Sequence, residues 1–339
     1  MALHIQEHIP LAPLTTLKCG GNAEYFAYVD SIEALEGALA FAEEKKLKIT
    51  ILGGGSNVLV SDAGVQGIVI RPLFTDIVYR THGTEVYVES GAGVMFDTLV
   101  GTLVEKNLWG LENLSGIPGS VGAVPIQNVG AYGVEAKDVV HEVTVYNRDT
   151  KRVERLNASE CTFAYRHSLF KTEAGKRYIV VGVTLRLSTV SNPRITYRDL
   201  QKYFEDDSTP TLESIRRAVI TIREGKFPDW HTMGTLGSFF KNPILSQEAY
   251  GALQAKFPLV PGFAEVGGVK VPLGWILDHV LNLKGYREGN VGLYEKQALV
   301  LIRYGTASSD EVLDFAERIR EQVLDATAVR VEFEAVYLA

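Results

Sequence analysis

The stretch of residues 116–133 constrains this chain most, because it is rich in glycine and yet carries no charge. It reads GIPGSVGAVPIQNVGAYG, with five glycines, two prolines and several small apolar side chains. A flexible linker is typically polar and rich in Gly and Ser, whereas these apolar residues can pack. Glycine permits positive φ angles and lets main-chain N–H groups approach a ligand closely. The stretch predicts a buried loop system around a large, partly anionic ligand; a tight structural crossover between strands is the alternative.

A second glycine cluster, residues 53–57 (GGGSN), lies between the short apolar runs 49–52 and 58–60. This pattern predicts a strand, a glycine turn and a second strand, with N–H groups available to a pyrophosphate. It is not the GxGxxG fingerprint, because the spacing differs and a strand-like run follows where a helix should begin. A classical Rossmann site is therefore disfavoured, and a plain hairpin explains the cluster equally well.

Composition narrows the function classes. The chain has 339 residues, of which 46% are hydrophobic, so it is long enough for two or three domains. Its net charge of −7 argues against a nucleic-acid partner. Cys19 and Cys161 are too few for a disulfide scaffold, and no His, Cys, Asp or Glu grouping has metal spacing. Without a membrane-length apolar run or a secretory signal, we expect a cytoplasmic protein with no membrane partner.

Hydrophobic periodicity predicts helices and strands in mixed order. Helices are predicted over residues 31–46, with Ser31 as N-cap, and over 96–107, 211–224, 246–256, 274–281 and 309–324. Further strand-like runs cover residues 67–70, 85–90, 143–146, 178–187 and 329–338. This order favours an α+β fold over a doubly wound sheet. Candidate domain boundaries lie near residues 71–72 and within the polar segment 205–210.

Two basic positions suit anion binding. Tyr165 and Arg166 are adjacent, and an Arg beside an aromatic ring can clamp a carboxylate or phosphate. A surface Arg next to a core Tyr explains the pair without a ligand. Lys226 follows a predicted helix, where it complements the helix dipole or binds phosphate.

Two further segments carry groups suited to proton transfer. Ser238 lies in residues 234–243, which also read as a buried Phe pair in a strand, and no GxSxG elbow marks a hydrolase serine. Glu332 and Glu334 lie two residues apart in the predicted last strand, so alternation places both carboxylates on one face. A solvated edge-strand face is the alternative for that pair.

The motifs together resemble those of a known family. They occur in one chain in this order: residues 53–57, 110–119, 125–133, 165–166, 237–243 and 332–334. Each motif alone is modest, but their order is specific, and from about Thr15 to the C-terminus the chain resembles the UDP-N-acetylenolpyruvoylglucosamine reductase family of bacterial cell-wall synthesis. The resemblance implies a two-part FAD-binding region of the vanillyl-alcohol-oxidase type and a smaller α+β substrate-binding domain. The expected domains are residues 1–72, 73–208 and 209–325, with a C-terminal strand at 326–339 returning near the first.

The resemblance also implies a reaction. NADPH would first reduce a bound FAD, and hydride would then pass from flavin N5 to UDP-N-acetylglucosamine enolpyruvate, giving UDP-N-acetylmuramate. Arg166 would stabilise the enolate-like charge with support from Glu334. Ser238 would deliver the proton, helped by Lys226, Lys241 or a water molecule.

The resemblance also implies ligand contacts, which are assigned by matching positions in the motifs. FAD would contact Gly53, Gly54, Gly55, Ser56, Asn57, Ile117, Pro118, Gly119, Ser120, Gly122, Gln127, Asn128, Gly130, Ala131 and Gly133. The sugar nucleotide would contact Tyr132, Tyr165, Tyr197, Lys226, Asn242 and Gln297. Tyr197 lies on a segment found in the longer of the family's two forms, which predicts a mobile tyrosine closing over substrate. We expect a monomer with no metal ion.

The chain departs from the family pattern at its C-terminus. The family usually follows its last glutamate with Val-Arg, whereas Ala335 and Val336 follow Glu334 here. Either Tyr337 or another residue replaces the missing basic contact, or Glu332 is the catalytic group. Glu334 keeps the family's offset from the start of the predicted strand, which favours it over Glu332 as the catalytic group.

Two other functions remain as alternatives. An FAD-dependent oxidase of a small alcohol or sugar is disfavoured, because residues 53–60 and 116–133 contain no His or Cys for covalent flavin attachment. A non-catalytic nucleotide-binding or cell-wall scaffold protein is disfavoured, because Ser238, Arg166 and a C-terminal Glu are all present.

Overall fold

The computed structural model describes residues 3–206 and 209–339. The candidate domain boundary within 205–210 therefore falls partly on residues 207 and 208, which lie outside the described part. The strands are β1 (Ile5–Pro10), β2 (Asn22–Val29), β3 (Ile49–Ile51), β4 (Val58–Val60), β5 (Val65–Pro72), β6 (Ile77–His82), β7 (Glu85–Gly91), β8 (Gly130–Ala131), β9 (Val134–Glu135), β10 (Val140–Asn147), β11 (Arg152–Asn157), β12 (Tyr178–Ser188), β13 (Gly234–Ser238), β14 (Ile244–Leu245), β15 (Phe263–Glu265), β16 (Gly268–Lys270), β17 (Arg287–Glu288), β18 (Val291–Tyr294), β19 (Gln297–Arg303) and β20 (Val336–Leu338).

Three of the described helices begin at a serine whose side chain caps them, namely Ser31, Ser246 and Ser308. The helices are α1 (Ile32–Glu44), α2 (Phe96–Glu105), α3 (Arg198–Tyr203), α4 (Leu212–Glu224), α5 (Gln247–Lys256), α6 (Leu273–Trp275, continued by a π-helical turn over Ile276–Val280) and α7 (Ser309–Thr327). The Oγ of Ser31 accepts from Ala34 N at 3.2 Å, which confirms the predicted N-cap. Ser308 caps α7 in the same way within a capping box.

The described residues group into two compact units. The first contains residues 3–8, Glu24–Gly54 and Gln66–Arg223, and the second contains Ile9–Ala23, Gly55–Val65 and Glu224–Ala339. Both mix helices with sheets. The three-domain division from the sequence stays a prediction.

The first unit is built on two sheets. One has the order β1-β2-β5-β3, with β3 and β5 parallel, and α1 covers it with Ala34, Leu35, Ala38 and Ala42. The other, with the order β11-β10-β12-β7-β6, is antiparallel and packs against the apolar face of α2. A smaller cluster joins α3, α4 and Tyr132, so the glycine-rich stretch lies on packed apolar groups.

The second unit packs α7 against an antiparallel sheet with the order β13-β19-β18-β17. Phe239, Phe240 and Phe315 are each 1–2% exposed in the core of this unit. A three-stranded sheet, β14-β16-β15, and the parallel pair β20-β4 complete it. Phe239 and Phe240, the pair that the sequence of residues 234–243 predicts to be buried, are indeed buried directly after β13.

Two strand expectations need correction. The plain hairpin for residues 49–60 is wrong, because β3 pairs with β5 and β4 pairs with β20. The strand predicted over 329–338 is also wrong over most of its length, since only Val336–Leu338 is a strand. Before it, Phe333 makes an isolated bridge to Phe240. The alternating sequence mimics a strand, but these residues are held by separate contacts rather than by a continuous ladder.

Over residues 3–206 and 209–339, every helix is too short or too polar to cross a lipid bilayer. In the same ranges, no three His, Cys, Asp or Glu side chains lie together in a way that could hold a metal ion.

Candidate active site

The two glycine clusters meet through their main chains in the first unit. A Cβ placed on Gly54 would lie 2.5 Å from Gly119 Cα and 3.0 Å from Ser120 N, and one on Gly53 would lie 2.7 Å from Ser120 Oγ. Gly119 has a φ of +118°, a conformation that favours glycine. A larger residue at Gly54 would push against the main chain of the facing loop, whereas one at Gly53 would displace the Ser120 hydroxyl.

This contact leaves main-chain donors available. In the described part of the chain, the N–H groups of Gly53, Gly54, Gly119 and Ser120 have no hydrogen-bond acceptor within the protein. Main-chain N–H groups in native structures are nearly always paired, and a concavity of such donors suits a phosphate. The pair of loops therefore fits the pyrophosphate of a dinucleotide such as FAD.

The turn that carries Arg166 is tied to the glycine-rich stretch. Ala164 and His167 exchange two main-chain hydrogen bonds, of 3.0 and 3.1 Å, so Tyr165 and Arg166 form the tip of a tight turn. Three side-chain hydrogen bonds join this turn to residues 126–130: Ser168 Oγ to Ile126 O at 2.7 Å, Asn128 Nδ2 to Ala164 O at 3.1 Å, and Arg166 Nη1 to Gly130 O at 3.3 Å. These hydrogen bonds join residues that are 36 to 42 positions apart in the sequence.

Asn128 shapes this loop through its own side chain. It is 1% exposed; its Nδ2 donates to Glu135 Oε2 at 2.8 Å, and its Oδ1 accepts from Lys137 N at 2.9 Å. Because protein groups occupy both ends of the amide, Asn128 holds the loop in place with this side chain.

Tyr132 and Tyr197 lie together, as two groups on one substrate require. Their rings meet edge to face with centroids 5.3 Å apart, and Tyr197 is 42% exposed while Tyr132 is 7% exposed. Burial raises the pKa of the Tyr132 hydroxyl to about 12, although the Arg223 guanidinium that donates to it acts in the opposite direction. Tyr132 is therefore a neutral hydrogen-bonding group at physiological pH.

Helices α2 and α4 hold the start of the glycine-rich stretch. Asp97 accepts from Gly116 N at 2.6 Å and from Arg216 Nη1 at 2.7 Å, and Arg223 Nε donates to Gly116 O at 3.1 Å. Burial alone would raise the pKa of Asp97, but the hydrogen bonds from Arg216 and Gly116 outweigh it and lower the pKa. Both main-chain groups of Gly116 are thus held by charged side chains.

In the second unit, Ser238 ends β13, opposite Val300 of β19. The strand has a register shift between Thr235 and Gly237, and Gly237 has a φ of +66°. Thr235 Oγ1 fixes this irregularity, because it donates to Leu301 O at 2.8 Å and accepts from Gly237 N at 3.0 Å. The bulge sets the direction of the chain immediately before the serine.

Glu334 lies beside the residue that follows Ser238. Its main-chain N–H donates to Phe239 O at 2.8 Å, and its main-chain oxygen accepts from Asn57 Nδ2 at 3.0 Å. Glu334 is 8% exposed, whereas the Glu332 side chain is 75% exposed and pairs with Lys241 Nζ at 2.7 Å. The expectation that both carboxylates share one face is therefore wrong, since no regular strand imposes alternation on them.

Asn242 and Gln297 flank the start of α6. Asn242 Oδ1 accepts from Leu273 N at 2.9 Å, and Gln297 Oε1 lies 2.8 Å from where a Cβ on Gly274 would stand. Lys226 precedes Phe227, whose ring lies 4.0 Å from a Cβ placed on Gly237. The second unit thus brings the predicted substrate-side residues Asn242 and Gln297 together.

The other positions carried over for FAD lie on the same loops. Asn57 O accepts from Val336 N at 3.0 Å, and Gly122 N donates to Ala92 O at 2.9 Å. The remaining positions are buried or partly buried, except for the exposed Gly133: Gly55, Ser56, Ile117, Pro118, Gln127, Gly130, Ala131 and Gly133.

Some residues outside the predicted ligand contacts hold these loops in place, and the sequence did not indicate them. Asp97, Arg216 and Asn113 carry no local motif, and their partners lie 19 to 119 residues away in the chain. Only the position of Asn113 inside the segment 110–119 could have drawn attention to it.

Two family models match the chain. One, described as an FAD binding domain, matches residues 23–155. The other, described as the UDP-N-acetylenolpyruvoylglucosamine reductase C-terminal domain, matches residues 229–338. The first match contains the glycine loops, and the second contains Ser238 and Glu334.

Relatives match along nearly the whole chain. UDP-N-acetylenolpyruvoylglucosamine reductase of Pseudomonas syringae pv. tomato is 37% identical over 338 residues, which cover 98% of this chain and 99% of that protein. The enzyme of the same name from Chromobacterium violaceum is 37% identical over 343 residues, covering both chains completely. The solved structure of the reductase from Thermus caldophilus superposes with a TM-score of 0.71 at 25% identity, covering 99% of this chain and 100% of that one. This likeness confirms the α+β fold, and the chain belongs to the UDP-N-acetylenolpyruvoylglucosamine reductase family.

Proposed function

We propose that Arg166, Ser238 and Glu334 carry the chemical step of the reaction that this family performs. The protein reduces UDP-N-acetylglucosamine enolpyruvate to UDP-N-acetylmuramate in peptidoglycan precursor synthesis, with FAD as cofactor and NADPH as reductant. When bound, FAD supplies the hydride that it takes from NADPH. The chain itself must hold the reactants, stabilise the developing charge and deliver one proton.

The glycine loops would hold FAD. The free N–H groups at Gly53, Gly54, Gly119 and Ser120 support this role for the pyrophosphate. We assign the cofactor contacts to residues 53–57 and 117–120, together with Gly122, Gln127, Asn128, Gly130, Ala131 and Gly133.

Arg166 would stabilise the negative charge that develops on the substrate's carboxylate and α-carbon. Its hydrogen bond to Gly130 O and its position at the tip of a tight turn support this role, because they hold the guanidinium in a fixed position. A preorganised cation of this kind contributes roughly 3–4 kcal/mol to transition-state stabilisation.

Ser238 would donate the proton to the α-carbon. The bulge at Gly237 supports this assignment most directly. It sets the path of the chain into Ser238, and the next residue, Phe239, accepts a hydrogen bond from Glu334 N. A serine hydroxyl is a weak acid and needs assistance. The assisting group would be Lys226, a water molecule, or Lys241, which pairs with Glu332, and the buried Glu334 would support the enol.

The sugar nucleotide would bind Tyr132, Tyr165, Tyr197, Lys226, Asn242 and Gln297. The contact between the Tyr132 and Tyr197 rings and the shared position of Asn242 and Gln297 near α6 support these assignments. Tyr197 is the partly exposed member of its pair and would close over substrate.

We also propose that the protein acts in the cytoplasm as a monomer of three domains, without a nucleic-acid partner. The net charge of −7 supports the last point.

The assignment of Ser238 is tested by separating the two half-reactions in Ser238→Ala. The variant should bind FAD and be bleached by NADPH like the wild type, while reduction of the enolpyruvyl group falls about 100-fold or more. Ser246→Ala is a matched control in the same unit, because Ser246 only caps α5; it should leave both half-reactions intact. Equal losses in both half-reactions of Ser238→Ala would remove the proton-donor role.

A further inference from the structure

Asn113 is a completely buried polar residue that connects two segments of the candidate site. It lies in the helical turn Glu112–Leu114 and is 0% exposed. Its Nδ2 donates to Tyr132 O at 2.8 Å and to Arg194 O at 2.7 Å. One amide group therefore joins the end of the glycine-rich stretch to the segment that leads into Tyr197.

The chemistry of the neighbours fixes the orientation of this amide. Both neighbours are carbonyl oxygens, so the NH2 end must face them. Among the described residues, Asn113 Oδ1 has no hydrogen-bond partner. The two N–H donors therefore carry the whole contribution of this side chain, and a group of similar size that lacks them should lose it.

Both connected segments need support. Tyr132 has a φ of +49°, which is unfavourable for an aromatic residue and persists only where the surroundings hold it. Arg194 is held a second time by an ion pair with Asp138 at 3.1 Å. Beyond Arg194 the chain reaches Tyr197, whose ring packs against that of Tyr132.

We propose that Asn113 is a positioning residue for substrate binding: it sets the spacing of the Tyr132 and Tyr197 segments so that Tyr197 closes on the sugar nucleotide from a fixed starting geometry. This inference rests on the proposed role of Tyr197 in holding that substrate. Without the amide, each segment explores more conformations, and substrate binding must order them at a cost in affinity.

The inference predicts a selective change in KM. In Asn113→Ala, KM for the enolpyruvyl sugar nucleotide should rise about tenfold, because two buried hydrogen bonds are lost. Flavin content and the rate of flavin reduction at saturating NADPH should stay within about twofold of wild type, because the glycine cradle is intact. The control is Asn147→Ala, which removes an equally buried amide, 4% exposed and bonded to Glu154; it should leave KM unchanged.

A pH readout separates positioning from simple loss of packing. Asn113→Asp keeps the shape of the side chain but directs an ionised carboxylate at two carbonyls. Its KM should fall as pH decreases, because the protonated carboxyl can donate one of the two bonds. KM of Asn113→Ala should show no such dependence beyond that of the wild type.

A double variant decides the inference. If Asn113 acts through Tyr197, Asn113→Ala should raise KM no further in a Tyr197→Ala background. If Tyr197→Ala raises KM and the two effects are fully additive, or if Asn113→Ala matches the Asn147→Ala control, the inference is overturned while the proposed function stands. If Tyr197→Ala leaves KM at the wild-type value, the proposed role of Tyr197 fails, and the inference about Asn113 fails with it.

Discussion

Three residues near the glycine-rich loop hold left-handed backbone conformations that residues other than glycine rarely adopt. Asn128, Tyr132 and Arg166 have φ values of 46°, 49° and 52°, and such conformations cost about 1–3 kcal/mol each. Each is held locally: Asn128 by its own amide, Tyr132 by Asn113, and Arg166 by the tight turn. Contacts within the protein thus hold the backbone at all three positions.

The two C-terminal glutamates can be distinguished by substitution. Glu334→Gln should slow enolpyruvyl reduction about 100-fold, because it removes the buried carboxylate that we propose supports the enol. Glu332→Gln should stay within about twofold of wild type, because an exposed ion pair contributes little. Single-turnover recolouring of reduced enzyme measures both, and the opposite ranking would identify Glu332 as the catalytic group.

At the scale of elements, loops rather than helices or strands form the proposed cofactor cradle. Its main feature is the close approach of residues 53–54 to residues 119–120. Gly54→Ala should lower the FAD content of the purified protein severalfold, because the new Cβ would stand 2.5 Å from Gly119 Cα and push the loops apart. The ratio of flavin to protein absorbance measures this.

Gly251→Ala is the matched control for that substitution. Gly251 lies in α5, and a Cβ there meets nothing within 4 Å. This change should keep full FAD content and stabilise the protein by about 0.5–1 kcal/mol through helix propensity. A Gly54→Ala protein with a full complement of flavin would show that the two loops do not enclose the cofactor.

Helices α2 and α4 support the same loop through Asp97, and this predicts a pH dependence. The pKa of Asp97 is held below its ordinary value of 3.8, so its contribution to stability is present above that value and is lost as pH falls through the lowered pKa. Asp97→Asn should lower the free energy of unfolding by about 1–2 kcal/mol at neutral pH, since the pair with Arg216 is only partly buried.

The difference between wild type and Asp97→Asn should shrink as pH falls from the ordinary value of 3.8 through the lowered pKa, because the carboxylate is protonated first in the unfolded chain and then in the folded one. Denaturant unfolding at several pH values measures it. A difference that stays constant down to strongly acidic pH would assign the loss to packing rather than to the charge of Asp97.

Across the whole molecule, local sequence signals predict the elements better than the connections between them. Helices α1 and α5 begin next to the predicted residues because Ser31 and Ser246 mark their caps. The strand predicted over 329–338 is wrong because alternation cannot show whether a partner strand is present. The bonds of Asp97 to Gly116 and Arg216 could not be predicted, since they join residues that only the folded chain brings together.

The family motifs predicted more of the candidate site than periodicity did. The family resemblance assigned Arg166 and residues 127–133 to one site, and the structure shows hydrogen bonds that join the turn of Arg166 to residues 126–130. Asn113 lies inside the motif 110–119, but the motif assigns it no role, and its two buried hydrogen bonds show what it supports.

A single protein of this family passes reducing equivalents from NADPH to an enolpyruvyl sugar nucleotide. The most direct test reduces the purified protein anaerobically with equimolar NADPH, then mixes it with UDP-N-acetylglucosamine enolpyruvate while flavin absorbance is followed. We predict bleaching by NADPH and then rapid recolouring with formation of UDP-N-acetylmuramate. Bleaching without recolouring would contradict the account, because the protein would then be a flavoprotein that acts on another substrate.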